Sequence, residues 1–303
     1  MRTEFITGLM RLVERDERVV LLTADLGWGV LDEFAARFPQ RIINVGVAEQ
    51  AMIGVATGLA SKGFIPYCYS IASFSVGRTF EFLRNGPAAH ALPVRVIGIG
   101  PGFEYSHDGF THYALEDVGL LLNQPNTRIV APRDSASAEQ FGEQGFDFSG
   151  LVYVRLSKTT SSVPISTAGD LLGRVLTDHV VVVALGDAVA TGRQAVETLE
   201  RRGVASVLVE VEVVNRASIA ALVDRIAATA SCRVVVAENH YVRGGFGTML
   251  SDELAVVGWR GRIWKLGIVG FPGADTGTLT GMSTRHMTDL AAVAEQVTAD
   301  VAL

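Results

Sequence analysis

Short apolar runs alternate along the chain with segments in which apolar positions recur every three or four residues. The runs at 19–23, 42–45, 65–69, 94–98, 127–130 and 151–155 have strand length, and the segments at 33–38, 49–62, 80–85, 116–122 and 135–144 have helical spacing. From 158 to 169 the chain turns to Ser, Thr and Pro without periodicity, which marks a linker. The alternation then resumes, with strands expected at 180–185, 206–211, 233–237 and 263–268 and helices at 189–202, 218–228 and 246–257. Strands alternating with helices predict parallel sheets covered on both faces. The expected fold is α/β with two doubly wound domains, at 1–160 and 161–303, and a linker at about 158–172. Ligands bind such sheets beyond the carboxyl ends of the strands, which directs attention to 23–25, 44–50, 70–78 and 98–112.

The composition narrows the class. A chain of 303 residues suits two domains at roughly 150 residues each. Its 49% hydrophobic content argues against disorder. The net charge of -6, with acids and bases interspersed, argues against nucleic acid as a ligand. Cys68 and Cys232 follow no metal-ligand spacing and are expected as reduced, buried thiols. The charged residues within 1–20 exclude a signal peptide, and no apolar run approaches the ~20 residues of a membrane helix. A soluble cytoplasmic protein without a membrane partner is expected.

The first candidate chemistry is Asn44-Val45-Gly46-Val47-Ala48-Glu49-Gln50, a strand end, a glycine turn and a carboxylate at a helix start. By itself Glu49 reads as an acid complementing the helix dipole. Asp25 reads equally as an Asx turn, Arg78 as a solvated arginine at a helix start, and Arg155 as a strand-end partner in an ion pair. The full stretch from Asn44 through Glu49 to Ala60 resembles the cofactor-activating segment of transketolases and deoxyxylulose-phosphate synthases. Five further features resemble that family in the same order: Thr23-Ala24-Asp25-Leu26; Ser73-Phe74 with Gly77-Arg78 and Arg84-Asn85; Asp108-Gly109-Phe110-Thr111-His112; Tyr153-Val154-Arg155-Leu156; and Glu238-Asn239-His240 with Gly244-Gly245-Phe246-Gly247. Six motifs in order, over nearly the whole chain, are far more specific than any one of them.

The resemblance implies a thiamine-pyrimidine-binding domain followed by a smaller transketolase C-terminal-like domain. Thiamine diphosphate reacts as a carbanion at C2 of its thiazolium ring. A carboxyl group on N1′ of the aminopyrimidine favours the imino tautomer, whose N4′ takes the C2 proton; Glu49 matches that acid. The resemblance further implies that Phe74 stacks on the aminopyrimidine, with Phe80 and Phe82 as competing candidates. It places Asp25 near the thiazolium and Arg78 along the cofactor pocket, and sets Asp108 and His112 on substrate, His112 as a proton relay. Arg155 matches a basic residue that holds a sugar phosphate. His107 and Phe110 depart from the family pattern, where an acid and a proline are common, and bear on substrate choice.

The family's metal motif, Gly-Asp-Gly with an asparagine downstream, has only a partial counterpart in Gly186-Asp187-Ala188 and Asn215, and that stretch fits the second domain's own strand, turn and helix. No metal ligand is therefore assigned, and no phosphate-binding P-loop is present. The diphosphate and its Mg2+ or Ca2+ are expected on a second chain, an N-terminal transketolase chain, in an α2β2 assembly. The implied activity is ketol transfer between sugar phosphates or related substrates. A β chain of a 2-oxo acid dehydrogenase E1 and a non-catalytic subunit are the alternatives; Val47-Ala48-Glu49-Gln50 and Asp108 to His112 favour the transketolase.

Overall fold

The computed structural model describes residues 1–158, 179–229 and 231–302. Eleven strands run in chain order: β1 Val19–Thr23, β2 Ile42–Asn44, β3 Ile65–Ile71, β4 Arg95–Ile99, β5 Thr127–Val130, β6 Leu151–Leu156, β7 Val180–Leu185, β8 Ser206–Val211, β9 Val213–Val214, β10 Arg233–Tyr241 and β11 Arg262–Ile268. Seven form one sheet in the order β2-β1-β3-β4-β6-β5-β9, and four form another in the order β11-β10-β7-β8. Among the described residues all strand pairings are parallel except β5 with β9.

Both faces of the larger sheet are buried, as a parallel sheet requires. Val20, Leu22, Cys68 and Val96 point into one apolar cluster, while Val19, Leu21, Tyr67, Tyr69 and Ile97 point into the other. The first cluster runs on without a break into the smaller sheet, through Leu121, Ile219, Leu222, Phe246, Leu250 and Val183. The second cluster seats a helix beyond those expected from the apolar pattern, Arg2–Arg15, which buries Phe5, Ile6, Leu9, Met10 and Val13. This helix packs on Ser135–Gln144 at backbone distance. A Cβ on Gly142 would overlap the Phe5 carbonyl, and one on Gly8 would lie 2.7 Å from the Glu143 nitrogen.

The two sheets are also stitched by the chain itself. Directly after β8, Glu212 accepts from the Arg133 backbone N–H (3.0 Å) and its Nη1 (2.6 Å), and β9 then pairs antiparallel with β5 in the larger sheet. A segment of the second half of the chain is thus an edge of the first sheet. The expected linker lies, from residue 159 on, outside the described residues. Cys68 is buried, but Cys232 is exposed, contrary to expectation, because it precedes β10 at the sheet's end rather than within it. Among the described residues no helix is long and apolar enough to cross a membrane.

Candidate active site

The carboxyl ends of β1, β2, β3 and β4 open on one side of the larger sheet, and the segments holding Asp25, Glu49, Phe74, Arg78 and His107 to His112 follow these ends in turn. Asn44, the last residue of β2, organises the first two loops. Its amide oxygen accepts the backbone N–H of Asp25 and of Gly46, and its amide nitrogen donates to Asp25 Oδ1, each at 3.0 Å. Asp25 is thereby held in the left-handed region at φ 59°, which Asp tolerates better than most side chains. Gly46, at φ 74°, makes the turn that delivers Glu49 to the start of the helix Glu49–Ala60. Sequence reasoning places Asn44 within its motif without a role of its own; a short amide at a strand end between two loops is the signal that identifies such a clamp.

Glu49 is only 2% exposed, and its Oε2 accepts from Arg78 Nη1 at 2.9 Å. Arg78 and Phe74 belong to the π-helical turn Ser73–Arg78 that follows β3. Such a turn carries one extra residue, a local insertion common at functional sites. Here it brings the Arg78 guanidinium over the Phe74 ring, 4.6 Å from its centroid. The other neighbour of that ring is His112, edge-on at 4.9 Å. Glu49, Arg78, Phe74 and His112 therefore form one continuous cluster. Among the described residues, Phe74 alone of Phe74, Phe80 and Phe82 has a ring contact within it; Phe82 is exposed.

His112 ends the short turn Phe110–His112, with Nδ1 2.9 Å from Thr111 Oγ1 and the Tyr105 ring 6.1 Å away. His107 and Asp108 are exposed in the loop leading into it. The segment between β11 and the helix Leu279–His286 braces this loop. Gly277 donates to the Ser106 carbonyl at 3.2 Å, Tyr113 Oη donates to the Asp275 carbonyl, and Phe110 meets Phe271 edge-on at 4.8 Å. Gly109 turns at φ 83°, with the Thr276 methyl 3.3 Å from where a Cβ would stand.

Arg155 departs from expectation. Its side chain is 1% exposed and lies between the sheets, not in an open pocket. Nε donates to Asp117 Oδ2 (2.7 Å), Nη1 to Asp187 Oδ1 (3.3 Å), and Nη2 to the Asn239 carbonyl (2.7 Å) and Asp117 Oδ1 (3.3 Å). No edge of the guanidinium is left for a sugar phosphate. Burial favours the neutral form of Asp117, but the adjacent Arg155, with a hydrogen bond from Tyr153, outweighs it and holds the pKa below the usual value. At Asp187 burial prevails over Arg155 and Asn239, and the pKa is raised. The same carboxylate accepts from Asn239 Nδ2 at 2.6 Å, and Asn215 caps the helix Arg216–Ala227, so the partial metal-motif match is accounted for by packing.

The motif of β10 is likewise a fastening. Glu238 accepts from the Phe246 and Gly247 backbone N–H groups (2.9 and 3.0 Å), capping the helix Phe246–Val256. His240 faces the Tyr241 carbonyl through Nδ1 (2.8 Å) and the Gly119 N–H through Nε2 (3.2 Å), which requires the proton on Nδ1 and ties β10 to the first half of the chain. A cavity of about 460 Å3 lies elsewhere, at the amino ends of β1, β3 and β4. Its buried Arg95 spends its terminal N–H groups on the carbonyls of Phe146, Phe148 and Gly150, a structural use remote from Glu49.

Residues 1–162 match the family "Transketolase, pyrimidine binding domain", and residues 172–284 match "Transketolase, C-terminal domain". The chain is 32% identical over 261 residues to the 6-deoxy-6-sulfo-D-fructose transketolase subunit of Clostridium sp. (strain MSTE9), covering 84% of this chain and 80% of that one. It is 27% identical to an apulose-4-phosphate transketolase subunit of Phocaeicola vulgatus, covering 84% and 83%. A solved structure described as a split gene transketolase, inactive beta4 tetramer, superposes with a TM-score of 0.81 at 28% identity, covering 98% of this chain and 97% of that one.

Proposed function

This chain belongs to the transketolase family, and on that premise we propose that it is the pyrimidine-side subunit of a two-chain, thiamine-diphosphate-dependent enzyme that transfers a ketol unit between sugar-like substrates. The observation that carries the reading is the slot between Glu49 and Phe74: a buried carboxylate facing a planar N–H donor that lies on an aromatic face. An aminopyrimidine is a planar aromatic ring whose N1′ would share a proton with a facing carboxyl group, so the residues present fit that ring. The cofactor, when bound, supplies the nucleophilic carbon that carries the ketol unit. Glu49 holds and moves the proton at the ring nitrogen it faces, in a position shielded from water. Phe74 orients the ring. Asp25, fixed by Asn44, would face the thiazolium. His107, Asp108 and His112 meet the substrate, with His112 moving protons at its oxygens. The two relatives are named for a sulfofructose and an apulose phosphate, ketoses that each bear an anionic group, and we assign this chain the same substrate class.

The diphosphate and its Mg2+ or Ca2+ belong to an N-terminal partner chain, in an α2β2 enzyme of the cytoplasm, with the boundary between this chain's two units at about 158–172. The test is reconstitution with a partner chain carrying the Gly-Asp-Gly motif. The pair should transfer a ketol unit from xylulose 5-phosphate or a related ketose without lipoamide, and Glu49→Ala should abolish transfer while leaving assembly intact. Near-normal transfer by Glu49→Ala, or tight magnesium-dependent cofactor binding by this chain alone, would refute the assignment.

A further inference from the structure

We propose that Arg78 is a placeholder for the aminopyrimidine: its guanidinium fills the slot between Glu49 and Phe74 in the cofactor-free chain and leaves when the ring enters. This rests on the reading of that slot as the pyrimidine site. A ring bound there must meet two conditions, contact with the Phe74 face and a ring nitrogen that shares a proton with the Glu49 carboxyl group. Arg78 already holds both positions, with its guanidinium 4.6 Å from the Phe74 centroid and Nη1 2.9 Å from Glu49 Oε2. Two planar groups cannot occupy one stacking position, so binding is an exchange of ring for guanidinium.

The exchange answers a physical problem. Glu49 is almost wholly buried, and a buried carboxylate without a partner is strongly unfavourable. A carboxylate there needs a partner whenever no ring nitrogen shares its proton. Arg78 suits the task because it can leave easily. Its side chain is 46% exposed, and its acceptor among the described residues is Glu49. Water takes over its hydrogen bonds when it swings out. The cation–π contact of a half-exposed arginine is weak, and the entering ring replaces Arg78 as the partner of the buried Glu49, so the slot stays filled yet remains open to displacement.

The experiment uses the isolated full chain and a probe that needs only this half-site, 4-amino-5-hydroxymethyl-2-methylpyrimidine. Binding is followed by ligand-observed NMR for wild type, Arg78→Ala, Arg78→Gln and Glu49→Ala. The Arg78 Nε–Hε signal of arginine-labelled protein is followed in parallel. Arg78→Ala should bind the ring about five- to tenfold more tightly than wild type, since no contact of Arg78 has to be broken for the ring to enter. Arg78→Gln, which keeps a planar donor without the charge, should fall between them, and in wild type the Arg78 signal should move to its solvent-exposed position as the ring saturates. Equal or weaker binding by Arg78→Ala, with binding still lost in Glu49→Ala, would overturn the placeholder and leave the pyrimidine site standing. Failure of every variant to bind the ring, or binding indifferent to Glu49→Ala, would overturn both.

Discussion

The role of Arg155 can be decided by one substitution. Arg155→Met keeps much of the side-chain stem but removes a guanidinium that joins Asp117, at the start of the helix Asp117–Leu122, to Asp187, in the turn after β7. Asp117 would retain its bond from Tyr153 (2.7 Å) and Asp187 its bond from Asn239 (2.6 Å), yet both acids would face each other without a cation. Breaking a buried pair by deleting one partner costs about 3–5 kcal/mol. For a chain of this size each kcal/mol lowers the melting temperature by roughly 2–4 °C, so a fall of about 10 °C is expected in scanning calorimetry. Replacing both acids as well, in Arg155→Met/Asp117→Asn/Asp187→Asn, should recover most of the loss, because no buried charge then remains unmatched. The sequence-based alternative, a phosphate-holding arginine, makes the opposite forecast. If Arg155→Met melted within about 2 °C of wild type while KM for a phosphorylated ketose rose tenfold or more, the clamp would be wrong.

Gly142→Ala should cost about 1–3 kcal/mol, because its Cβ meets the Phe5 carbonyl and backbone cannot step aside; an unchanged urea midpoint would count against the close helix contact. Asp117, whose pKa is lowered in the fold, contributes stability that is full above its unfolded value of about 3.9 and is lost as pH falls through the folded value. Asp117→Asn should therefore flatten the acid arm of the stability curve, and parallel curves for wild type and variant would contradict this. Cys232 should label with a maleimide in the native protein, whereas Cys68, buried with its pKa raised by burial, should label only on unfolding; native labelling of both would show that β3 opens readily.

Much of the fold was legible because parallel strands buried on both faces appear as continuous apolar runs. Val180–Leu185, Ser206–Val211 and Thr127–Val130 appear where the runs predict them. The helix Arg2–Arg15 was not anticipated, since its many charges draw attention away from Phe5, Ile6, Leu9, Met10 and Val13, which lie on one helical face. Val213–Val214 could not be read at all: two residues carry no period, and their partner β5 is more than eighty positions earlier. At the site, the grouping of Glu49, Phe74 and His112 was implied by motif order, but the ion pair of Glu49 with Arg78 was not. That contact depends on the π-helical turn, which shifts Arg78 by one residue relative to an ordinary helix. Arg155 misled for a different reason. A strand-end arginine faces a ligand or a neighbouring sheet according to what folds over it, and here that neighbour lies some thirty to eighty residues later in the chain.

The surroundings of Glu49 bear on why such a site would be shared between chains. The helix it begins buries Met52, Ile53, Ala56 and Ala60 against the larger sheet, while Gln50, Ala51, Gly54, Val55 and Gly58 face outward. Val47, just before the helix, is 75% exposed. The carboxylate is thus enclosed from behind by its own chain, and the apolar and small residues beside it have no cover. A carboxyl group that must share a proton with a ring needs a dry enclosure, because water would compete for both partners. Half of that enclosure is present, and the uncovered half is small-residue and apolar, the kind of surface that accepts another backbone at close range. A cofactor gripped by a second chain at its diphosphate end would bring that chain against this face and complete the enclosure in the same step. On the proposed function, binding of the ring, departure of Arg78 and closure of the interface would be one coupled event, and Glu49 would act only once the partner arrives.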